Sequence, residues 1–117
     1  MGHWHDVLAD LREPAIELRE AMGDTWTHFS AMSTAATKDG AIPGRIKEAF
    51  TVAIAVTHGC EGCIAHHAKA AARAGTSEQE LAEALAVALL MGGGPASMYL
   101  PVAWAAFQEF QENAPHV

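Results

Sequence analysis

Residues 45–75, RIKEAFTVAIAVTHGCEGCIAHHAKAAARAG, decide the fold because they contain two helical patterns separated by a single break. The first pattern (45–57) is so densely apolar towards its end that this helix is predicted to be buried on most sides. His58-Gly59 interrupts it, and a glycine just past the last periodic residue is typical of a helix C-terminal cap. The second pattern starts at the cysteines and runs to Gly75, so the segment predicts a helical hairpin.

Helical patterns also precede this hairpin. Apolar residues recur at helical spacing from Val7 to Met22, where Pro14 either opens a second helix or kinks one. A further helix passes through Trp26 and is predicted to end near residues 38–40. The part of the chain before the hairpin is therefore predicted to be helical.

Capping residues and glycines mark the helices after the hairpin. The segment Thr76-Ser77-Glu78-Gln79-Glu80 contains two overlapping capping boxes, which predict a helix start. Gly92-Gly93-Gly94 predicts the end of that helix, and a last helix is expected from Pro95 to about Glu112. We therefore predict an all-α fold, a compact helical bundle of about six helices in which residues 1–117 form a single domain.

The composition agrees with one helical domain. Half of the 117 residues are apolar, and 25 are alanine, the best helix former. Asp and Glu outnumber Lys and Arg by 14 to 7 and no basic run occurs, which argues against a nucleic-acid partner. No run of about 20 uninterrupted apolar residues is present, so no membrane span is expected.

The N-terminus and the apolar helix faces bear on location and assembly. The start, MGHWHD, lacks the basic and then apolar organisation of a signal peptide, so a cytoplasmic location is expected. Both cysteines would be reduced by default in that compartment. The helices carry more apolar surface than one small core can bury, and we therefore expect a homo-oligomer.

Cys60 and Cys63, three residues apart, are the strongest chemical signal in the chain. In a cytoplasmic protein such a pair indicates redox chemistry or metal binding more often than a structural disulfide. A thiol at a helix N-terminus faces unpaired N–H groups and the positive end of the helix dipole, both of which favour the thiolate. Side chains three apart lie within disulfide reach, so we predict a reversible Cys60–Cys63 disulfide.

Two further residues fit a proton relay to this pair. His67 lies one turn after Cys63 on the same helix face, where its imidazole can accept the thiol proton directly or through a water. If the two helices fold back as an antiparallel hairpin, Glu48 comes level with His67 and can fix its tautomer. An ordinary ion pair of Glu48 with Arg45 or Lys69 is the alternative.

A zinc site is the main chemical alternative, because two thiolates and the His67 imidazole could bind the metal with a fourth ligand from His58, His66 or Glu48. No second CxxC motif completes a structural site, so no metal is expected. The triple glycine lacks the residues of a phosphate loop and of a dinucleotide-binding motif. A redox-sensing module, whose disulfide changes an interface without turnover, is the alternative outside enzymes.

The spacing of Glu48, Cys60, Cys63 and His67 resembles the alkylhydroperoxidase AhpD-like members of the carboxymuconolactone decarboxylase superfamily, over about residues 42–100. The resemblance implies an all-helical fold that assembles into trimers or hexamers, and a thiol peroxidase or disulfide reductase activity without metal or organic cofactor. In that scheme Glu48 and His67 relay the proton of Cys63, which attacks a hydroperoxide. Cys60 then resolves the sulfenic acid into a disulfide, which an external thiol or dithiol reduces.

One position departs from the family pattern. Peroxidase members carry a histidine immediately before the second cysteine, where this chain has Gly62, and His58 or His66 is the candidate substitute. The substrate would be a hydroperoxide or a small disulfide. The decarboxylase branch usually lacks the cysteine pair, so its presence argues against lactone decarboxylation. Either cysteine could attack first, since the N-terminal thiol of many CxxC pairs is the more exposed one.

Overall fold

Five helical runs form this computed structural model, which describes residues 2–112. They are α1 (His3–Met22), α2 (Asp24–Thr37), α3 (Gly44–His58), α4 (Glu61–Ala74) and α5 (Glu78–Glu112). The described residues contain no strand, so the predicted all-α class is confirmed. Within α5, Gly93 has non-helical angles (φ 64°, ψ −148°) and divides the run into two helical halves. The predicted break at the triple glycine is thus a kink between two directly connected helices.

The core lies between α3, α4 and α5, and small residues make most of it. Alanines at nine buried positions let these three helices approach closely, and the largest fully buried side chains are Phe107, Ile64, Leu81, Val52 and Val56. Neither α1 nor α2 contributes a buried residue. The first two helices therefore lie on the outside of a three-helix core.

The turn between α3 and α4 depends on one glycine. Gly59 has left-handed angles (φ 65°, ψ 38°), and its N–H donates to the carbonyls of Ala55 and Val56, both at 3.1 Å. A side chain here would be strained, and its Cβ would lie 3.1 Å from the ring of Tyr99. This turn reverses the chain and makes Cys60 the N-cap of α4.

The turn into α5 uses one of the two predicted capping boxes. The Ser77 hydroxyl accepts from the Glu80 N–H, and the Glu80 carboxylate accepts from the Ser77 N–H, both at 3.0 Å. Thr76 does not cap α5. Its side chain is buried, and its hydroxyl donates to the Arg45 carbonyl at 2.7 Å. This bond ties the end of the hairpin to the start of α3.

A carboxylate at the far end of the chain holds the N-terminus of α1. Glu109 accepts from the backbone N–H groups of Trp4 (3.2 Å) and His5 (2.7 Å) and also pairs with the His5 ring. Pro14 lies inside α1, which continues through it to Met22, so it does not open a separate helix. α1 is thereby fixed across the surface of α4 and α5.

By length and apolar composition, α5 would pass as a membrane span, as core helices of soluble proteins also do. Only 17% of its most apolar stretch is buried. Glycines, prolines and single polar residues interrupt its apolar stretches, so it contains no uninterrupted apolar run of about 20 residues. Several of its apolar side chains, among them Leu90 and Met91, are exposed.

We expect Gly59→Ala to lower the free energy of unfolding by about 1–2 kcal/mol, because the left-handed backbone conformation is unfavourable for alanine and its Cβ would crowd the Tyr99 ring. Gly94→Ala is the matched control, since a Cβ there meets none of the described atoms within 4 Å. Urea denaturation of both variants measures the difference. Equal losses in the two variants would contradict this role of Gly59.

Candidate active site

The two cysteines lie at the N-terminal end of α4, immediately after the Gly59 turn. Cys60 is the N-cap residue, and its Sγ accepts a hydrogen bond from the Cys63 N–H at 3.3 Å. Both cysteines are free thiols, Cys60 half-buried and Cys63 exposed. The turn therefore brings the two side chains together at the surface, with Cys63 open to a reactant.

The hydrogen bonds separate the two thiols by acidity. Donation from the Cys63 side chain, followed by donation from its backbone N–H, lowers the pKa of Cys60 below its ordinary value. The same bond raises the pKa of Cys63, and burial and the charge of Cys60 add to the rise. This order is the reverse of the assignment of Cys63 as the activated thiol. The physical reason is that the cap position, rather than the first turn, receives the free donors.

His67 lies half-buried on α4, one turn after Cys63. Burial lowers its pKa, so the neutral imidazole, the form that accepts a proton, persists to lower pH than in water. Its ring meets that of His66 edge-on, with ring centroids 5.0 Å apart. Within residues 2–112 no hydrogen bond or ion pair holds the His67 ring, which leaves it free to accept from an approaching group.

Glu48 acts on His66 instead of His67. Its carboxylate raises the pKa of His66, against the larger lowering by burial and by the positive charges of His67 and Arg19. Glu48 is half-buried on α3, with the Thr51 hydroxyl 3.5 Å from its carboxylate. Among the described side chains it forms no ion pair, so the hairpin brings it within electrostatic reach of α4 without a direct bond to His67 or to either cysteine.

The alternative partners considered for Glu48 are engaged elsewhere or lie apart. Arg45 pairs with Glu80, its Nε 3.0 Å from the carboxylate oxygen. Lys69 faces the groove between α1 and α4. His58, the other candidate auxiliary, is exposed at the last residue of α3. Across the described chain, no three His, Cys, Asp or Glu side chains converge where they could hold a metal ion.

A groove of about 1380 Å³ lies between α1 and α4 and reaches Gly62, the residue next to Cys63, although neither cysteine lines it. Its α4 wall includes Gly62 and His66, and the δ-methyl of Leu11 on α1 lies 3.5 Å from where a Gly62 Cβ would be. Sequence reasoning missed this groove and the part that α1 plays in it. The available signal was that Arg12 and Arg19 interrupt the apolar face of α1.

A family model and a solved structure both point to one family. The model of the carboxymuconolactone decarboxylase family matches residues 21–111. A crystal structure of a carboxymuconolactone decarboxylase family protein from Legionella pneumophila is 37% identical with a TM-score of 0.87, over 92% of this chain and 96% of that one. An uncharacterized protein of Cupriavidus necator is 40% identical over 90 residues, 77% of this chain and 80% of that protein. Uncharacterized protein 4 in the cox locus of Paracoccus denitrificans is 36% identical over 81 residues, 69% of this chain and 73% of that protein.

We expect Cys63→Ala to raise the pKa of Cys60, because it removes the side-chain donor and keeps the backbone N–H. Cys63→Ser is the matched control, since its hydroxyl can still donate, and Cys60 should titrate lower there than in the alanine variant. The pH dependence of alkylation, read by mass spectrometry, reports both values. Identical titration of Cys60 in the two variants would contradict the role of this hydrogen bond.

Proposed function

The chain belongs to the carboxymuconolactone decarboxylase family, and we propose that it is a thiol-dependent peroxidase whose Cys60–Cys63 pair cycles between dithiol and disulfide. One observation carries the proposal: the Cys60 sulfur caps α4 and accepts the Cys63 N–H at 3.3 Å, beside a second, exposed thiol. This hydrogen bond favours the thiolate of Cys60, which is the nucleophilic form of a cysteine, before any substrate binds. The partner thiol is already positioned to close a disulfide.

In the first step the Cys60 thiolate attacks the terminal oxygen of a hydroperoxide. The O–O bond breaks, Cys60 becomes a sulfenic acid, and the alkoxide takes a proton to leave as an alcohol. Cys63 then loses its proton and attacks the Cys60 sulfur, forming the S–S bond and releasing water. An external thiol or dithiol supplies two electrons and two protons to restore the pair.

The histidines provide the proton transfers in this scheme. His67 lies one turn from Cys63 and is held neutral by burial, so it serves as the base that activates the resolving thiol. His66 lines the groove beside Gly62, where its ring N–H supplies the proton to the alkoxide. His66 thus substitutes for the histidine that peroxidase members of the family carry at the position of Gly62.

We also propose that the protein is a homo-oligomer, a trimer or hexamer, assembled through the exposed apolar side chains around the α5 kink. Those at the kink are more than half exposed: Val87, Leu90, Met91 and Met98. Burying them between subunits would remove this apolar surface from water. Light scattering should give a multiple of the 12.4 kDa chain mass, which Leu90→Glu lowers; a monomeric native protein would contradict assembly.

Reduced protein mixed with one equivalent of tert-butyl hydroperoxide should lose both thiols together, with a mass lower by two hydrogens. Cys63→Ser should stop at a Cys60 sulfenic acid that dimedone traps, and Cys60→Ser should give no disulfide. A sulfenic acid that accumulates only in Cys60→Ser would reverse the order of attack. Two thiols that persist in the native protein would contradict peroxidase activity and favour a disulfide substrate.

We expect His67→Gln to slow disulfide closure by about 10²–10⁴, the usual effect of losing a general base. His28→Gln, at an exposed position of α2, is the matched control and should leave the rate unchanged. Stopped-flow measurement of thiol loss after peroxide addition separates the two variants. Equal rates in His67→Gln and the native protein would contradict the assignment of His67 as the base.

A further inference from the structure

Positive charge is concentrated in the groove between α1 and α4. Of the seven Lys and Arg residues in the chain, four line this groove, Arg12 and Arg19 from α1 and Lys69 and Arg73 from α4. Of the fourteen acidic residues, only Asp6 lines it in the described structure. In a chain with net charge −7, this separation makes the groove the positive part of a negative molecule.

In the part of the chain that the structure describes, no carboxylate pairs with these four cations. Among residues 2–112, ion pairs join His3 to Glu61, His5 to Glu109 and Arg45 to Glu80, and none involves a groove cation. Arg19 instead lies over the Trp26 ring, 4.4 Å from its centroid. The positive charges also act on one another, because Arg73 adds to the lowering of the Lys69 pKa that burial causes. A bound anion would relieve this repulsion.

The rest of the groove is apolar. Leu8, Leu11, Ile16, Leu18 and Phe110 line it, and three of these leucine and isoleucine side chains are 42–59% exposed. Apolar walls with unpaired cations suit a ligand that has an apolar chain and an anionic head.

The spacing along α4 sets the length of that ligand. At 1.5 Å per residue, Lys69 and Arg73 lie about 9 and 15 Å beyond Cys63 along the helix axis. A molecule that reacts at the cysteines and pairs with these two cations must therefore separate its reactive group from its anion by several carbon–carbon bonds. A carboxylate is the anion that a peroxidised acyl chain itself carries.

We propose that this groove binds long-chain fatty-acid hydroperoxides, with the carboxylate at Lys69 and Arg73, the chain along the apolar α1 wall and the peroxide beside the cysteine pair. The proposal names the substrate class of the proposed peroxidase and rests on that function. Arg12 and Arg19 provide positive charge from the opposite wall. Reduction then follows the balance given above, with a hydroxy fatty acid and water as products.

The activity test compares linoleic acid hydroperoxide with its methyl ester, which has the same peroxide and chain without the charge. We expect kcat/KM to favour the acid by about tenfold, as for one hydrogen bond to a charged group, and the preference to weaken with salt. In the double variant Lys69→Gln/Arg73→Gln, the ratio of kcat/KM for the acid to kcat/KM for the ester should fall towards one. Lys38→Gln/Lys47→Gln removes the same charge outside the groove and should keep it.

Equal rates for acid and ester in the native protein, or an undiminished preference in Lys69→Gln/Arg73→Gln, would overturn the proposal. A binding test distinguishes failure of the groove proposal from failure of the peroxidase proposal. Linoleate, used below its micelle-forming concentration, should displace a fluorescent fatty acid from the Cys60→Ser protein. Methyl linoleate should not displace it. Linoleate binding without thiol oxidation by any peroxide would support the groove and contradict the peroxidase. Oxidation by tert-butyl hydroperoxide without linoleate binding would support the peroxidase and contradict the fatty-acid site in the groove.

Discussion

The left-handed backbone of Gly59 is the constraint on which the rest of the structure depends. It ends α3, reverses the chain and makes Cys60 the N-cap of α4. Because the turn is tight against Tyr99, it also fixes the hairpin against α5. A longer connection would leave the α3–α4 core intact but would detach the first cysteine from the free N–H groups of the helix.

The chemistry of the site follows from an asymmetry within one helical turn. Cys60 receives hydrogen bonds and Cys63 donates them, so the pKa of Cys60 is lowered and that of Cys63 is raised. A pair in which both thiols had the same acidity would offer either two competing nucleophiles or none. In the proposed peroxidase this separation would supply a nucleophile and a resolving group in one motif, and the His67 imidazole, whose pKa burial lowers, lies one turn further on.

The peripheral helix α1 extends the site beyond the cysteines. Glu109 near the end of α5 holds its first turn, and the helix then crosses α4 with its apolar and basic side chains facing the groove. α1 has no fully buried residue, although Trp4 and Leu8 pack against the core, so most of its side chains face the groove or the solvent. The proposed anionic ligand would account for the arginines that interrupt the otherwise apolar face of α1.

The sequence by itself determined the helical class, the hairpin and the placement of both cysteines at a helix start, because capping residues and periodicity act over one or two turns. Only the tertiary structure decided that Glu48 acts on His66, that Cys60 is the more acidic thiol and that α1 forms a groove wall. Each of these depends on the angle between helices or the direction of a single donor. Spacing along the chain carries no information about either.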